Sequence, residues 1–253
     1  MKRNHINDKP LKETPAKPRK PGRPPLRSPD GNTEPFISKE KIIARAAELS
    51  SERPLDELSI SSLARDFGVA TSLIHYYAGS RDDIVSGVIN LYFRARIQKL
   101  PNASGNWRND LAAYARAVYF LSCDYGAVMR YLMSHNRFRV FQQVDVTETD
   151  YGLVYLERLA EIFRAAGFSS RQSAMGYHLL MQHVMTSAYA VVNRQPPGLH
   201  KQFILDRVKM LASDQYPSIH FFAGDFSDLD GDMAFDAGLE ILLDGFEKWR
   251  QEA

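Results

Sequence analysis

Three groups of side chains in this 253-residue chain have types and spacings that point to chemistry. The first is His178, Gln182 and His183 on one predicted helix. Only His178 and Gln182 stand a turn apart on one face, and a closed metal site needs three or four converging donors, so no metal is expected there. The second is Asp228-Leu229-Asp230-Gly231-Asp232, which imitates the start of a calcium loop. Its sixth position is Met233 where glycine is required, and its twelfth is Leu239 where glutamate is required, so an acidic helix start explains it better. The third is the segment 59–78, SISSLARDFGVATSLIHYYA, whose pattern serves binding rather than bond breaking. The chain carries no phosphate-cradling Gly-rich loop, nucleophile elbow or paired-cysteine pattern, so neither an enzyme nor a resident cofactor is expected.

The 59–78 segment reads as a helix-turn-helix. Leu63, Phe67, Val69, Ile74 and Tyr77 supply apolar groups where the two helices face each other and the helix before them. Ala64 is small where the second helix must approach. Gly68 sits at the sharp turn, where a left-handed backbone favours glycine. Arg65 and Asp66 lie between these positions and face water. A double-stranded DNA operator is the partner such a unit reads; an ordinary amphipathic helix pair in a bundle is the plainer alternative.

The elements that hold this unit follow from caps and periodicity. A helix is expected over about 38–53, with Ser38 as N-cap and Ile42, Ile43, Ala46, Ala47 and Leu49 on its apolar side; Pro54 ends it. Ser59 caps the next helix. Ser80 caps a fourth, in which Asp82 and Asp83 suit the positive end and Ile84, Val85, Val88, Ile89, Tyr92 and Phe93 recur at helical spacing to about Leu100. After a break at 101–106, helices are expected near 107–123, 126–135, 148–167, 170–193, 200–213 and 229–251. No strand pattern appears, so the fold class is all-α: a three-helix helix-turn-helix domain (37–98) joined by the fourth helix to a helical bundle (106–253). In the last helix Phe235, Leu239, Leu242, Phe246 and Trp249 form a seam that packs on its own domain or on a second copy. A homodimer is favoured if the chain reads DNA, because paired readers need two copies.

Charge is segregated. Residues 1–36 hold nine Lys/Arg against four Asp/Glu, and residues 214–252 hold ten Asp/Glu against two basic groups. A basic front suits a protein that points one end at a polyanion. Residues 1–36 are rich in Pro and cations and poor in large apolar groups, so they are read as a disordered arm. Within it Arg19-Lys20-Pro21-Gly22-Arg23-Pro24-Pro25 resembles an AT-hook, whose Arg23 and Lys20 would meet the minor groove at A·T steps; a nonspecific basic tail is the alternative. The single cysteine, Cys123, excludes an intrachain disulfide and fits a reducing, cytoplasmic (nucleoid-associated) setting. No apolar run is long enough to span a membrane, so no membrane partner is expected.

Residues 38–93 resemble the tetracycline-repressor (TetR) family. The specific marks are Leu63-Ala64, Gly68-Val69, Ile74-His75-Tyr76-Tyr77 and Arg81-Asp82-Asp83-Ile84. The tail 235–246, FDAGLEILLDGF, is similar to the end of the family's tetracycline-repressor-type C-terminal domain. The resemblance implies an all-helical homodimer with a ligand cavity in the C-terminal domain, regulating transcription and usually repressing it until a small-molecule effector binds. It implies that Ser59 caps and meets a phosphate, that Thr71, Ser72 and Leu73 begin the recognition helix, that His75, Tyr76 and Tyr77 reach bases or phosphates, and that Arg81 binds a phosphate. The chain departs from the pattern at Ser61, where arginine is common, which removes a bidentate guanine contact. Ala70 replaces a capping serine, a role Thr71 is expected to assume, and Ala78 and His75 replace a bulky apolar residue and a tyrosine. The recognition helix is therefore short of cations, and phosphate contacts with the basic arm are expected to carry much of the affinity.

Tyr119, His135, Phe138, Tyr177, His178, Met181 and Gln182 are candidates for the cavity wall, suited to a flat, partly apolar ligand; ordinary core positions are the alternative. An architectural A·T-preferring DNA-binding protein, and a helical small-molecule carrier or enzyme, remain as competing functions.

Overall fold

A computed structural model describes residues 36–251 apart from 53, 135–141, 143 and 146. Among the described residues eleven α-helices follow one another without a strand. They are α1 (Lys39–Glu52), α2 (Ile60–Asp66), α3 (Thr71–Ala78), α4 (Arg81–Lys99), α5 (Trp107–Asp124), α6 (Gly126–Ser134), α7 (Tyr151–Ala165), α8 (Ser170–Val192), α9 (Lys201–Lys209), α10 (Pro217–Asp228) and α11 (Gly231–Gln251), with single 3-10 turns at Leu55–Glu57 and Pro197–His200.

Local chemistry starts most of these helices. The Ser38 hydroxyl accepts from the Lys41 amide. Ser59, Ser80 and Ser169 each close a reciprocal capping box, with Ser62, Asp83 and Gln172 at the third helical position. Asp150 caps α7 by accepting from the Gly152 and Leu153 amides, so that helix starts three residues later than its apolar pattern predicts.

Helix α4 joins the two halves of the body. One flank packs on α1 and the other on α5 and α7. Gly87 permits the first contact: a Cβ there would stand 2.5 Å from Ile43 Cδ1 of α1. Two polar clamps tie α4 and α1 to the segment ahead of α7. Asn90 donates to the Thr149 carbonyl and accepts from the Tyr151 amide, at 3.0 and 2.9 Å, and Lys39 of α1 pairs with Asp145 and Glu148, both at 2.6 Å.

Three of the five residues of the 235–249 seam belong to the core of one chain. Phe235, Leu239 and Phe246 are essentially inaccessible. The Phe235 ring lies parallel to Tyr119 at 4.0 Å on one side and to His183 at 5.3 Å on the other, and His183 Nε2 donates to the Phe235 carbonyl. Leu242 and Trp249 are half-buried on the same stripe. Side chains with no accessible surface in one chain add no area to a contact with another.

Helix α10 is absent from the sequence reading, which assigns nothing between 213 and 229. Its buried face is Ala223 and Ser227, whereas Phe221, Phe222 and Phe226 point outward. The expected helix at 200–213 ends at Lys209.

Asp110 ties the α4–α5 connection. Burial raises its carboxyl, but the Ser104 amide and hydroxyl and the Gly105 amide all donate to it and hold it below the usual carboxylate range. A depressed folded-state value stabilises the fold above the unfolded carboxyl pKa, and that stability is lost as pH falls through the folded value. Asp110→Asn should therefore lower the unfolding free energy by about 2 kcal/mol at pH 7, with the difference from the unsubstituted chain shrinking toward acid in pH-dependent urea denaturation.

Candidate nucleic-acid interface and effector cavity

The turn between α2 and α3 is built as expected. Gly68 takes φ +63°, and Leu63, Ala64, Ile74 and Ala78 are buried between the helices. Outside this core lies an exposed polar face. Ser59, Ser61, Thr71, Ser72, His75 and Tyr76 are exposed, while Leu73 and Tyr77 are half-buried at its edge. Tyr76 and Tyr77 meet edge to face at 5.1 Å.

His75 is pre-oriented. Its Nδ1 donates to the Gly79 carbonyl at 2.9 Å, so the neutral ring presents a bare Nε2 to solvent, an acceptor suited to a base amino group. The start of α3 is uncapped: Ala70 is the N-cap and no side chain bonds the first-turn amides, so Thr71 does not take over that role.

Arg81 has a structural part beside the expected one. Its Nε donates to the Leu58 carbonyl at 2.7 Å, and its Nη2 to Leu55 and Asp56 carbonyls at 3.2 and 2.8 Å. The guanidinium thus closes the chain turn ahead of α2, and most of its donors are engaged before any phosphate arrives. Arg45 is also engaged, with Glu48 and Asp66. Arg65, which the sequence reading left as a water-facing charge, is exposed one turn beyond Ser61 and has no ion-pair partner among the described residues. Its i, i+4 relation to Ser61 was the available signal. Lys20 and Arg23 lie outside the described residues.

The C-terminal body holds a cavity of about 820 Å³ between the α4–α5 connection, the start of α5, and α7. Leu100, Pro101, Trp107, Tyr114, Ile162 and Ala166 give it apolar wall, and Arg158, Glu161 and Arg250 give it charge. Of the expected wall residues, none of the five that are described lines it. Tyr119 is locked in the ring stack and donates to Asp232 at 2.7 Å. Met181 accepts from the Tyr155 hydroxyl, and Tyr177 is half-buried nearby. His178 and Gln182 are exposed. One residue step on a helix is about 100°, which puts 177 and 181 inward and 178 and 182 outward. His135 and Phe138 lie outside the described residues. Among the described residues no group of three His, Cys, Asp or Glu converges on a metal position. Burial, reinforced by Asp232 and Asp124, pushes the Cys123 thiol up to about 11, which keeps it protonated and unreactive.

A helix-turn-helix carried by an all-helical body with a cavity defines a class, the helix-turn-helix transcription regulators. Residues 42–88 match the tetR family of bacterial regulatory proteins, and residues 100–250 match the tetracyclin repressor-like C-terminal domain. The chain belongs to this family. A Saccharopolyspora erythraea HTH-type transcriptional regulator is 22% identical over 84% of this chain and 86% of its own length. The HTH-type transcriptional repressor DrrR1 of Streptomyces coeruleorubidus is 22% identical over 89% of this chain and 82% of its own. Among solved structures, apo ActR of Streptomyces coelicolor superimposes with a TM-score of 0.73 at 21% identity, over 87% of this chain and 99% of that one. ActR in complex with actinorhodin gives 0.70 at 22% identity, over 84% and 97%. Among the described residues no helix is long and apolar enough to cross a membrane.

Arg81→Met removes three hydrogen bonds from a charged donor. It should cost about 2 kcal/mol of stability in urea denaturation without DNA present. An unchanged denaturation midpoint would return Arg81 to a purely DNA-facing role.

Proposed function

We propose that this regulator is a dimeric repressor that a small molecule releases from a palindromic operator. The observation that carries the reading is the pairing of an exposed polar helix-turn-helix face with a cavity whose wall belongs to the α4–α5 connection, α5 and α7. Helix α4 and the Asn90 and Lys39 clamps join the two, so a change at the cavity moves the DNA-reading face. The ligand-bound ActR structure supports an effector in this kind of body. The effector acts by preferring a dimer whose recognition helices no longer match successive major grooves, roughly 34–36 Å apart.

The second copy is assigned to the outer face of α9 and α10. Phe203, Met210 and Phe221 are 68, 73 and 88% exposed, and Phe222 and Phe226 adjoin them. So many large apolar groups in one patch mark an association surface. Outside the described residues, the basic arm with Lys20 and Arg23 adds sequence-tolerant phosphate and minor-groove contacts, and Arg65 adds one phosphate contact from α2. The protein thus works in the cytoplasm, on the nucleoid.

Selection from random duplexes should return a palindrome with half-sites about 10 base pairs apart, centre to centre. Absence of any sequence preference would reject the regulator reading. On that operator, deleting residues 1–36 should make the slope of log affinity against log salt shallower by about 1 to 3, and Arg65→Ala by about 1. An unchanged slope would remove the arm or Arg65 from the interface.

Phe221→Asp should convert the dimer to a monomer in sedimentation and reduce operator affinity at least in proportion. A dimer that persists would place the interface elsewhere.

A further inference from the structure

Arg96 is the least explained residue in the body. It lies in the last turn of α4, 3% exposed, where helix arginines ordinarily face water. Its three side-chain hydrogen bonds all leave from Nη2: to the Tyr92 hydroxyl, to Ser122 Oγ at 2.9 Å and to Met185 Sδ at 3.3 Å. Every one of these partners is neutral. Nε is buried with no partner at all. The groups around the guanidinium are the rings of Tyr92, Phe93 and Tyr155, at 4.3, 5.4 and 5.1 Å from its central carbon. Among the described residues no carboxylate pairs with it. Burial pushes the Tyr114, Tyr155 and Tyr177 hydroxyls above their ordinary range, so none of them becomes the missing anion.

A buried cation without a counter-charge is strongly disfavoured, and faces of aromatic rings offset only part of that cost. The effector cavity is next door. Tyr114 lines it, the Tyr114 ring is 5.3 Å from Tyr155, and Tyr155 borders the guanidinium. Opening the tyrosine pair would connect the cavity to Arg96.

We propose that Arg96 is the anion-recognition group of the effector site, and that the effector is an aromatic carboxylate whose acid group pairs with Nε while its rings lie among Tyr92, Tyr114 and Tyr155. This deepens the ligand-responsive reading and rests on it. Pairing removes an electrostatic penalty that only the unliganded protein bears, which gives the differential affinity a switch needs. Arg96 is also well placed to transmit the change. It lies about 22 Å along the same rigid helix from Arg81, which closes the turn ahead of α2.

The test uses the full chain without DNA, titrated by calorimetry with 2-naphthoate and with its uncharged isostere 2-naphthamide. Naphthoate should bind about tenfold or more tightly than the amide. Arg96→Met should erase that preference, and the unliganded variant should melt at or above the unsubstituted protein. If the Met variant fails to fold, Arg96→Gln, which keeps donors and loses the charge, reads the same preference. Equal binding of the two probes, no naphthoate binding, or a preference that survives the substitution would overturn the assignment. The titration contains no DNA, so its failure is separate from failure of the repressor reading, which the duplex selection decides. A further arm adds naphthoate to the operator complex: release by the unsubstituted chain and not by Arg96→Met supports the assignment, and release from both overturns it.

Discussion

Helix α4 is buried on both flanks, and the other elements are arranged around that constraint. Ile84, Val85, Val88, Ile89, Tyr92 and Phe93 have almost no accessible surface and fan over about half of the helix circumference. A helix with so broad a buried arc must be wrapped by more than one neighbour rather than laid on a surface. Helix α1 wraps one side, with Gly87 allowing Ile43 to close on it, and α5 and α7 wrap the other. The DNA-reading pair α2–α3 docks on α1, and Arg81 of α4 holds the turn ahead of α2, so the pair's orientation is inherited from α4 by packing and by hydrogen bonds. Close-packed interfaces of this kind change between discrete arrangements rather than deforming smoothly.

What was legible in the sequence divides along the range of the interactions. The helix-turn-helix was readable because its signals are local: Gly68 at positive φ, and serine caps at 59 and 80 within three residues of their partners. The seam of α11 was readable as a buried stripe, but periodicity says that a stripe is covered and not by which chain. Tyr119 and His183, which cover Phe235, come from α5 and α8. Helix α10 hid because small residues face inward, so its phenylalanines trace the exposed side. The structural bonds of Arg81 are hidden for a related reason. Its carbonyl partners lie 23 to 26 residues earlier, beyond the reach of any motif. Arg96 gave no signal, since in Phe93-Arg94-Ala95-Arg96-Ile97 it reads as one more surface cation.

The character of the reading face determines how little motion the switch requires. Arg81 and Arg45 are both engaged within the protein, so apart from Arg65 the exposed face of α2 and α3 is made of hydroxyls, an imidazole and a tyrosine pair. Such groups act through hydrogen bonds that are lost once donor and acceptor separate by more than about 3.5 Å. A face of arginines and lysines would hold on through longer-range attraction, weakened but not cut by a small shift, because screening acts over roughly 8–10 Å. Under the proposed function, a tilt of α4 that displaces α3 by an ångström or two would abolish base recognition while the charged parts of the protein stay near the phosphates. The chain's shortage of cations in the recognition helix is therefore a property of the switch as well as of the affinity. It lets a modest change at the far end of α4 separate specific from nonspecific binding.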